Sequence, residues 1–292
     1  MNNSAVSESG GVFRTIARRL NYYGRRLLAV PYVLWMALFV VAPIILVLVY
    51  AFTTSGGEFT FGNFSTMLDY SAVFGRSLLL AVIATAICLL IGYPVAYALS
   101  KEGGRLQRMI LLLLMLPMWM NFLLRTYAWM SILENTGLLN KLLKAVGLPT
   151  LNIINTPSAV VIGMVYNFLP FMILPIYSVI VKIDRSLIEA AQDLGAGSVH
   201  TFRKVIFPLS LPGILSGITM VFVPAVSTFV ISQLLGGGTQ LLVGDLIEMQ
   251  FLGTAYNPHL GSAIALVMMI IVMVCMVVMN RFGEGEETAV ML

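Results

Sequence analysis

Long apolar runs separated by short polar connections dominate the chain. Six of them, at about residues 31–52, 75–99, 109–131, 158–181, 209–233 and 261–279, reach the roughly 20 apolar residues that an α-helix needs to cross about 30 Å of hydrocarbon. No other run does. The pattern predicts an all-α integral membrane protein with six transmembrane helices. A six-span domain over residues 31–281 then lies between polar tails at 1–30 and 282–292.

Two connections carry patterns of their own. In LLNKLLKAVGL, residues 138–148, Leu138, Leu139, Leu142, Leu143 and Val146 recur at helical spacing while Lys141 and Lys144 fall elsewhere. This predicts a short helix lying at the outer interface. The last connection holds the triplet Gly236, Gly237 and Gly238. After it, residues 241–252 read as a re-entrant or interfacial helix with Asp245 and Glu248 one turn apart. Non-helical backbone at that depth survives only where protein or water satisfies it.

A charged, polar connection covers 182–208, and most of it falls in RSLIEAAQDLGAGSVHTFRKVIFPLSLPGI, residues 185–214. Ser186 and Glu189 have the spacing of a capping box at a helix start. Ala190 and Ala191 continue the helix with little bulk, and Gly195 stands where a left-handed residue ends it. Ser198 is the expected N-cap of a second helix running to about Phe207. Pro208 and Pro212 then mark the start of the next span. The stretch thus predicts a short helix, a sharp glycine turn and a second short helix.

Composition removes any soluble reading. Apolar residues make up 59% of the 292-residue chain and charged residues 10%, against about 25% charged in soluble domains. The mean hydropathy is +0.94. Orientation follows from Lys and Arg in the short connections. Arg14, Arg18, Arg19, Arg25 and Arg26 precede the first run; Lys101, Arg105 and Arg108 follow the second; Lys182, Arg185, Arg203 and Lys204 flank the long connection. The first and last connections carry Glu58, Asp69, Asp245 and Glu248 instead. Only Lys141 and Lys144 break the alternation, so both termini are expected in the cytoplasm. The net charge of +4 then reports topology and not nucleic-acid binding. Residues 1–30 read as a basic cytoplasmic tail, either topology-setting charge alone or in part an amphipathic helix on the anionic leaflet. Its length, and the lack of an A-x-A-like site after the first run, favour a retained span over a cleaved signal.

Chemistry-bearing residues are sparse. Cys88 and Cys275 fall inside runs and read as small hydrophobes, so neither a disulfide nor a metal framework follows. No G-x-x-x-x-G-K-[ST] occurs. Within the runs only Arg76 and Arg125 are ionisable, both near outer ends, which disfavours an ion-coupled secondary transporter. His200 and His259 fall on opposite sides of the membrane, which disfavours a membrane-embedded enzyme.

Glu189, Ala190, Ala191 and Gly195, with Pro208, match the "EAA" loop pattern of permease subunits of binding-protein-dependent ABC transporters. That pattern is Glu-Ala-Ala, three residues, Gly, nine residues, then Ile-x-Leu-Pro. Here Val205 stands for the Ile and Phe207 for the Leu, and both keep an apolar side chain. The chain is identified as a member of that family. The resemblance implies a type I ABC importer permease of MetI-like architecture in a bacterial cytoplasmic membrane. It implies that Glu189, Ala190, Ala191, Asp193, Gly195, Ala196 and Pro208 form a coupling helix docked on an ATP-binding subunit. It also implies two such subunits, which hold the ATP and magnesium that this chain does not bind, together with a second permease and an extracytoplasmic substrate-binding protein.

Three further segments, TPSAVVIGMVYNFLPFMILPIYSVI, LPMWMNFLLRTYAWMSILENTGLLN and GGGTQLLVGDLIEMQFL, resemble the spermidine/putrescine permeases, and specifically the first of that system's two permease subunits. The resemblance implies transport of a polyamine, a small-molecule cation; the alternative is another small solute carried by relatives sharing the loop. A long cation is held by aromatic faces and carbonyls, which makes Trp119, Tyr127, Trp129, Tyr166, Phe168 and Phe171 candidates for the translocation path, with Asn121 as a polar handle. Trp and Tyr also gather at membrane interfaces. Arg125 is expected to pair with Glu134 or lipid phosphate, or to contact the binding protein. Asp245 and Glu248 would dock that protein or attract a cation, or simply form a solvated outer face. Pro170 and Pro175 are expected to kink the fourth span.

Overall fold

The fold is described from a computed structural model covering residues 30–253 and 255–287. The tail at 1–30, Val30 apart, and residues 288–292 lie outside the described residues. Twelve helices follow one another among the described residues. They are α1 (Val30–Ala51), α2 (Gly62–Leu68), α3 (Ser71–Lys101), α4 (Gly104–Trp119), α5 (Phe122–Leu133), α6 (Leu138–Ala145), α7 (Pro157–Ile180), α8 (Arg185–Asp193), α9 (Ser198–Ser227), α10 (Val230–Gly236), α11 (Val243–Phe251) and α12 (Pro258–Glu287). A lone antiparallel bridge joins Thr53 to Phe59.

Helices α1, α3, α7, α9 and the Pro258–Met279 part of α12 are each long and apolar enough to cross a membrane. The third run, at 109–131, is not one helix as expected. It breaks between Trp119 and Phe122, and the two parts meet at 93°. Pro117 leaves the Leu113 carbonyl without its helical donor. Two residues beyond Trp119, the Asn121 side chain caps the new helix, accepting from Leu123 N at 2.9 Å and Leu124 N at 3.4 Å. Only as a broken pair do these parts make a sixth span.

The fifth run differs too. Its helix starts at Ser198, well before the expected residue 209, and ends at Ser227; Thr228 is extended at ψ 144° and α10 follows. The second arm of the polar connection is therefore not a separate helix ended by Pro208. It is the first turn of α9. A π-turn over Phe202–Ile206, in which the Phe207 N–H reaches the Phe202 carbonyl, precedes Pro208. The same device occurs in α1, where Ala37–Val41 form a π-turn just before Pro43. A proline ring presses on the carbonyl four residues back, and the widened turn relieves that clash without ending the helix.

Mutual packing of α3, α7 and α9 forms the core. Met164, Met172, Ile173 and Ile176 of α7 are fully buried among Ala81, Ala84 and Cys88 of α3 and Val221 of α9. Lipid gives no hydrophobic drive between helices, so close approach through small residues matters more. Gly217 is such a point, since a Cβ there would come within 2.8 Å of Met172 Sδ. The α1 helix lies at the edge against α12 and leaves nearly all its side chains exposed. Asn140, nearly fully buried, donates to the Leu151 carbonyl at 2.9 Å and accepts from Leu151 N at 2.8 Å, which ties the loop after α6 back to its helix.

Candidate functional site

The helix–turn–helix expected from the polar connection is present, with different caps. Asp184, not Ser186, is the N-cap of α8, its Oδ1 accepting from Ser186 N at 3.0 Å. Hydrogen bonds from Ser186 hold the exposed Asp184 carboxyl below its ordinary range. The expected Ser186–Glu189 capping box is not formed, because Asp184 already satisfies the first free N–H, and Glu189 is free to point outward. At the other end Gly195 has φ +84°, Gly195 N donates to Gln192 O at 2.8 Å and Ala196 N to Ala191 O at 3.0 Å. These two bonds define a Schellman turn, and a left-handed residue at its centre favours glycine. Gly197, not Ser198, precedes the next helix, and no side chain caps it.

Glu189, Ala190, Asp193 and Gly195 are exposed, and Ala191 and Ala196 half-buried. Apolar side chains stand out beside them: Leu194 is 90% exposed and Val199 72%. A groove of about 620 Å³ runs along α8, with Tyr97, Lys101, Arg185, Glu189 and Gln192 in its walls. The arm is anchored from below. Phe202 packs against Tyr97 at 5.1 Å and Tyr93 at 5.8 Å, and the Tyr93 and Ser210 hydroxyls are 3.0 Å apart. The element is thus a capped, two-armed projection that continues without interruption into a membrane-spanning helix.

The candidate path residues divide. Trp119, at the end of α4, is 78% exposed and Tyr127 47%. Asn121 spends its side-chain oxygen on the cap of α5, leaving only its N–H2 as a handle. Tyr166 and Trp129 pair edge to face at 5.1 Å. Phe171 is half-buried against the core, and Phe168 is buried, which removes it from any open surface. Pro170 and Pro175 lie inside the unbroken α7. Lacking N–H groups, they leave the carbonyls of Tyr166 and Phe171 without helical donors.

Two residues expected at a binding-protein surface are corrected. Arg125 is 7% exposed and donates from Nη1 to the Pro117 carbonyl at 2.6 Å, closing over the bend. It pairs there, and not with Glu134. Asp245 is 3% exposed, its Oδ2 accepting from Leu242 N at 2.8 Å at the start of α11. Burial takes both from any external partner. Glu248, one turn on, accepts from Gln233 Nε2 at 2.9 Å. Sequence reasoning missed the tie between Ser77 and α11, where Ser77 Oγ accepts from Val243 N at 2.8 Å; a serine in an apolar run carries no signal of such a role. His259 sits beside Tyr50, its Nδ1 3.2 Å from the Tyr50 carbonyl, whereas His200 lies in the first turn of α9.

This arrangement can be set beside known proteins. Residues 88–284, more than half of the chain, match the family described as binding-protein-dependent transport system inner membrane component. The chain belongs to that family. The permease is 42% identical over 242 residues to the spermidine/putrescine transport system permease protein PotB of Haemophilus influenzae, covering 80% of this chain and 84% of that protein. It is 40% identical over 247 residues to PotB of Escherichia coli, covering 81% and 90%. Among solved structures it superposes on a bacterial ABC transporter that imports alginate, with a TM-score of 0.78 at 16% identity over 94% of this chain and 98% of that one. It also superposes on the MetNI methionine ABC transporter, with a TM-score of 0.56 at 18% identity over 76% and 97%. At such identities the likeness is one of fold: the permease has the helical architecture of ABC importer membrane subunits. It is the permease component of such a system and not its catalytic part.

Proposed function

We propose that this permease conducts polyamines, spermidine or putrescine, across a bacterial cytoplasmic membrane as half of the permease pair of an ATP-driven importer. The observation that carries the substrate class is identity of 40–42% to PotB proteins over about four-fifths of the chain. The remaining parts of the reading are a second permease subunit, two ATP-binding subunits holding ATP and magnesium, and an extracytoplasmic binding protein. The basic connections at 101–108 and 182–204 support a cytoplasmic coupling end and cytoplasmic termini.

In this reading α8 and the first turn of α9 form the coupling element. Glu189, Ala190, Ala191, Asp193, Gly195 and Ala196 are its contact surface, with exposed Leu194 and Val199 as apolar anchors. Closure of the ATPase pair moves this surface. The α9 helix spans 30 residues, about 45 Å at 1.5 Å per residue, and carries the motion past Pro208 to the break at Thr228. There α10 packs on α5, the second half of the broken span. A push at one face thus reaches the hinge at Trp119–Phe122. ATP binding and arrival of loaded binding protein bias one inward–outward equilibrium, each by its differential affinity for the two states. Trp119, Tyr127, Tyr166 and Phe171, with the Asn121 amide, line the route; aromatic faces and the two proline-freed carbonyls hold the amines without buried carboxylates.

The test is a pull-down of the tagged chain from its native membranes in mild detergent, with partners identified by mass spectrometry, followed by reconstitution in proteoliposomes. A second permease, an ATPase and a binding protein, with ATP-dependent uptake of labelled spermidine or putrescine, is the expected result. Recovery of the chain alone in several detergents refutes the importer reading, and uptake of a different solute refutes the polyamine.

A further inference from the structure

Among the described residues, Arg125 is the basic side chain that is buried. Its surroundings are unusual for a guanidinium in an apolar span. The group has five N–H donors, yet Nε has no hydrogen-bond partner. The bond that Nη1 makes, 2.6 Å to Pro117 O, goes to a carbonyl and not to a carboxylate. The guanidinium carbon lies 5.8 Å from the ring centre of Phe122 and 6.0 Å from that of Tyr166. Trp129 braces Tyr166 edge to face at 5.1 Å. A buried cation this poorly paired is costly, and here it also fastens the 93° bend, because Pro117 and Arg125 lie on either side of the break.

Two aromatic faces and a carbonyl are the groups that recognise an aliphatic ammonium. The site can hold one cation only, since two like charges at such a distance repel strongly where water is excluded. We propose that Phe122, Tyr166 and the Pro117 carbonyl form an amine-binding subsite of the substrate path, and that Arg125 occupies it as a tethered stand-in which a substrate ammonium displaces. The proposal rests on the polyamine reading above and names where one amine sits. Displacement breaks the Arg125–Pro117 bond and frees α5, the helix on which α10 packs. Substrate arrival and the motion of α9 then act on the same hinge. Because the resident cation competes with the substrate, free polyamine is excluded, and the subsite opens only to amine delivered at high local concentration by a docked binding protein.

The experiment uses the complete importer in lipid nanodiscs and titrates spermidine calorimetrically without binding protein. The apparent affinity of a site is lowered by the fraction of molecules in which it is free. R125Q is therefore expected to bind spermidine at least about tenfold more tightly than the wild type. R125M, which likewise removes the resident cation, gives a comparable gain, and R125Q/Y166L loses the gain. A merely structural Arg125 lowers the thermal midpoint or the yield of complex with no gain in affinity. An assembled R125Q that binds no more tightly than wild type overturns the proposal, as does a gain that survives in R125Q/Y166L. If R125Q does not assemble, absence of any gain in R125M overturns it. ATP-driven uptake by the wild type with its binding protein reads the substrate class separately. Polyamine uptake without a gain in the variants sinks the stand-in alone, whereas failure to carry any polyamine sinks both readings.

Discussion

The hydroxyls of Tyr93 and Ser210 lie 3.0 Å apart, one on α3 and the other on α9 just past Pro208. This bond, with the packing of Phe202 on Tyr93 and Tyr97, fastens the base of the arm that we propose couples to the ATPase to a second membrane-spanning helix. A lever works only if its base does not slide. Tyr93→Phe keeps the ring and removes the bond, at a cost of about 1 kcal/mol. We expect a thermal midpoint lower by a few degrees and more ATP hydrolysed per substrate moved. Ser210→Ala should do the same, and the double variant no more than either alone. Additive losses in a double-mutant cycle would show that the two hydroxyls act separately.

The Schellman turn sets the angle between the two arms. Gly195 at φ +84° suits glycine and, less well, asparagine; a β-branched residue there costs on the order of 1–3 kcal/mol. Gly195→Val is expected to insert into the membrane normally, to bind the ATPase weakly and to lose ATP-driven uptake, while Gly195→Asn retains a large part of it. Co-purification of the ATPase with each variant reads the outcome. Normal uptake by Gly195→Val would refute the assignment of the turn. Leu194→Glu, which leaves the backbone alone and charges a side chain that is 90% exposed, should lose the ATPase as well.

Along the proposed route, Trp119→Ala and Tyr166→Ala should each lower polyamine uptake at saturating binding protein, Tyr166→Ala by tenfold or more because it also unseats Arg125. ATPase assembly should persist in Trp119→Ala, whose side chain is 78% exposed and packs on little within the subunit. Normal uptake by both variants would refute the aromatic route.

How far the sequence announces all this differs from element to element. The spans are legible because their signal is summed over about 20 residues, and no local choice can cancel it. The two breaks are not legible by hydropathy, which averages across them. Yet both follow one local rule: Pro117 stands four residues before Asn121 and Pro224 four before Thr228. In each case a proline leaves a carbonyl without its donor and the break comes one turn later. The π-turns before Pro43 and Pro208 show the other response to a proline, absorbing it within the helix. Which response is taken depends on what packs nearby, and one chain read by itself does not carry that. The turn after α8 is legible at Gly195, whose left-handed backbone favours glycine. Its N-cap is not, because Asp184 and Ser186 are both good caps two residues apart. Arg125 and Asp245 depart from expectation for a common reason. A charge in or near a span suggests a wet surface, whereas these two are folded inward onto backbone partners.

Asp245 makes this burial measurable. Desolvation pushes its carboxyl up to about 6, against the opposing hydrogen bond from Leu242 N and the nearby Ser232 hydroxyl, with Glu248 adding a smaller upward push. A carboxyl whose folded value is raised binds more protons folded than unfolded. Its contribution to stability is fully present below the unfolded value, about 3.9, and declines as pH rises through about 6. The wild-type permease should therefore lose thermal stability between about pH 4 and pH 6 through this group and stay at the lower level above it. Asp245→Asn keeps an oxygen to accept from Leu242 N and has no charge to bury. Its thermal midpoint should exceed that of the wild type by a few degrees at pH 7.5 and approach it at pH 4. The check is a pair of thermal unfolding series, wild type and variant, across that range in one detergent. Parallel curves would mean that Asp245 keeps enough water in the folded state to titrate like an exposed carboxylate.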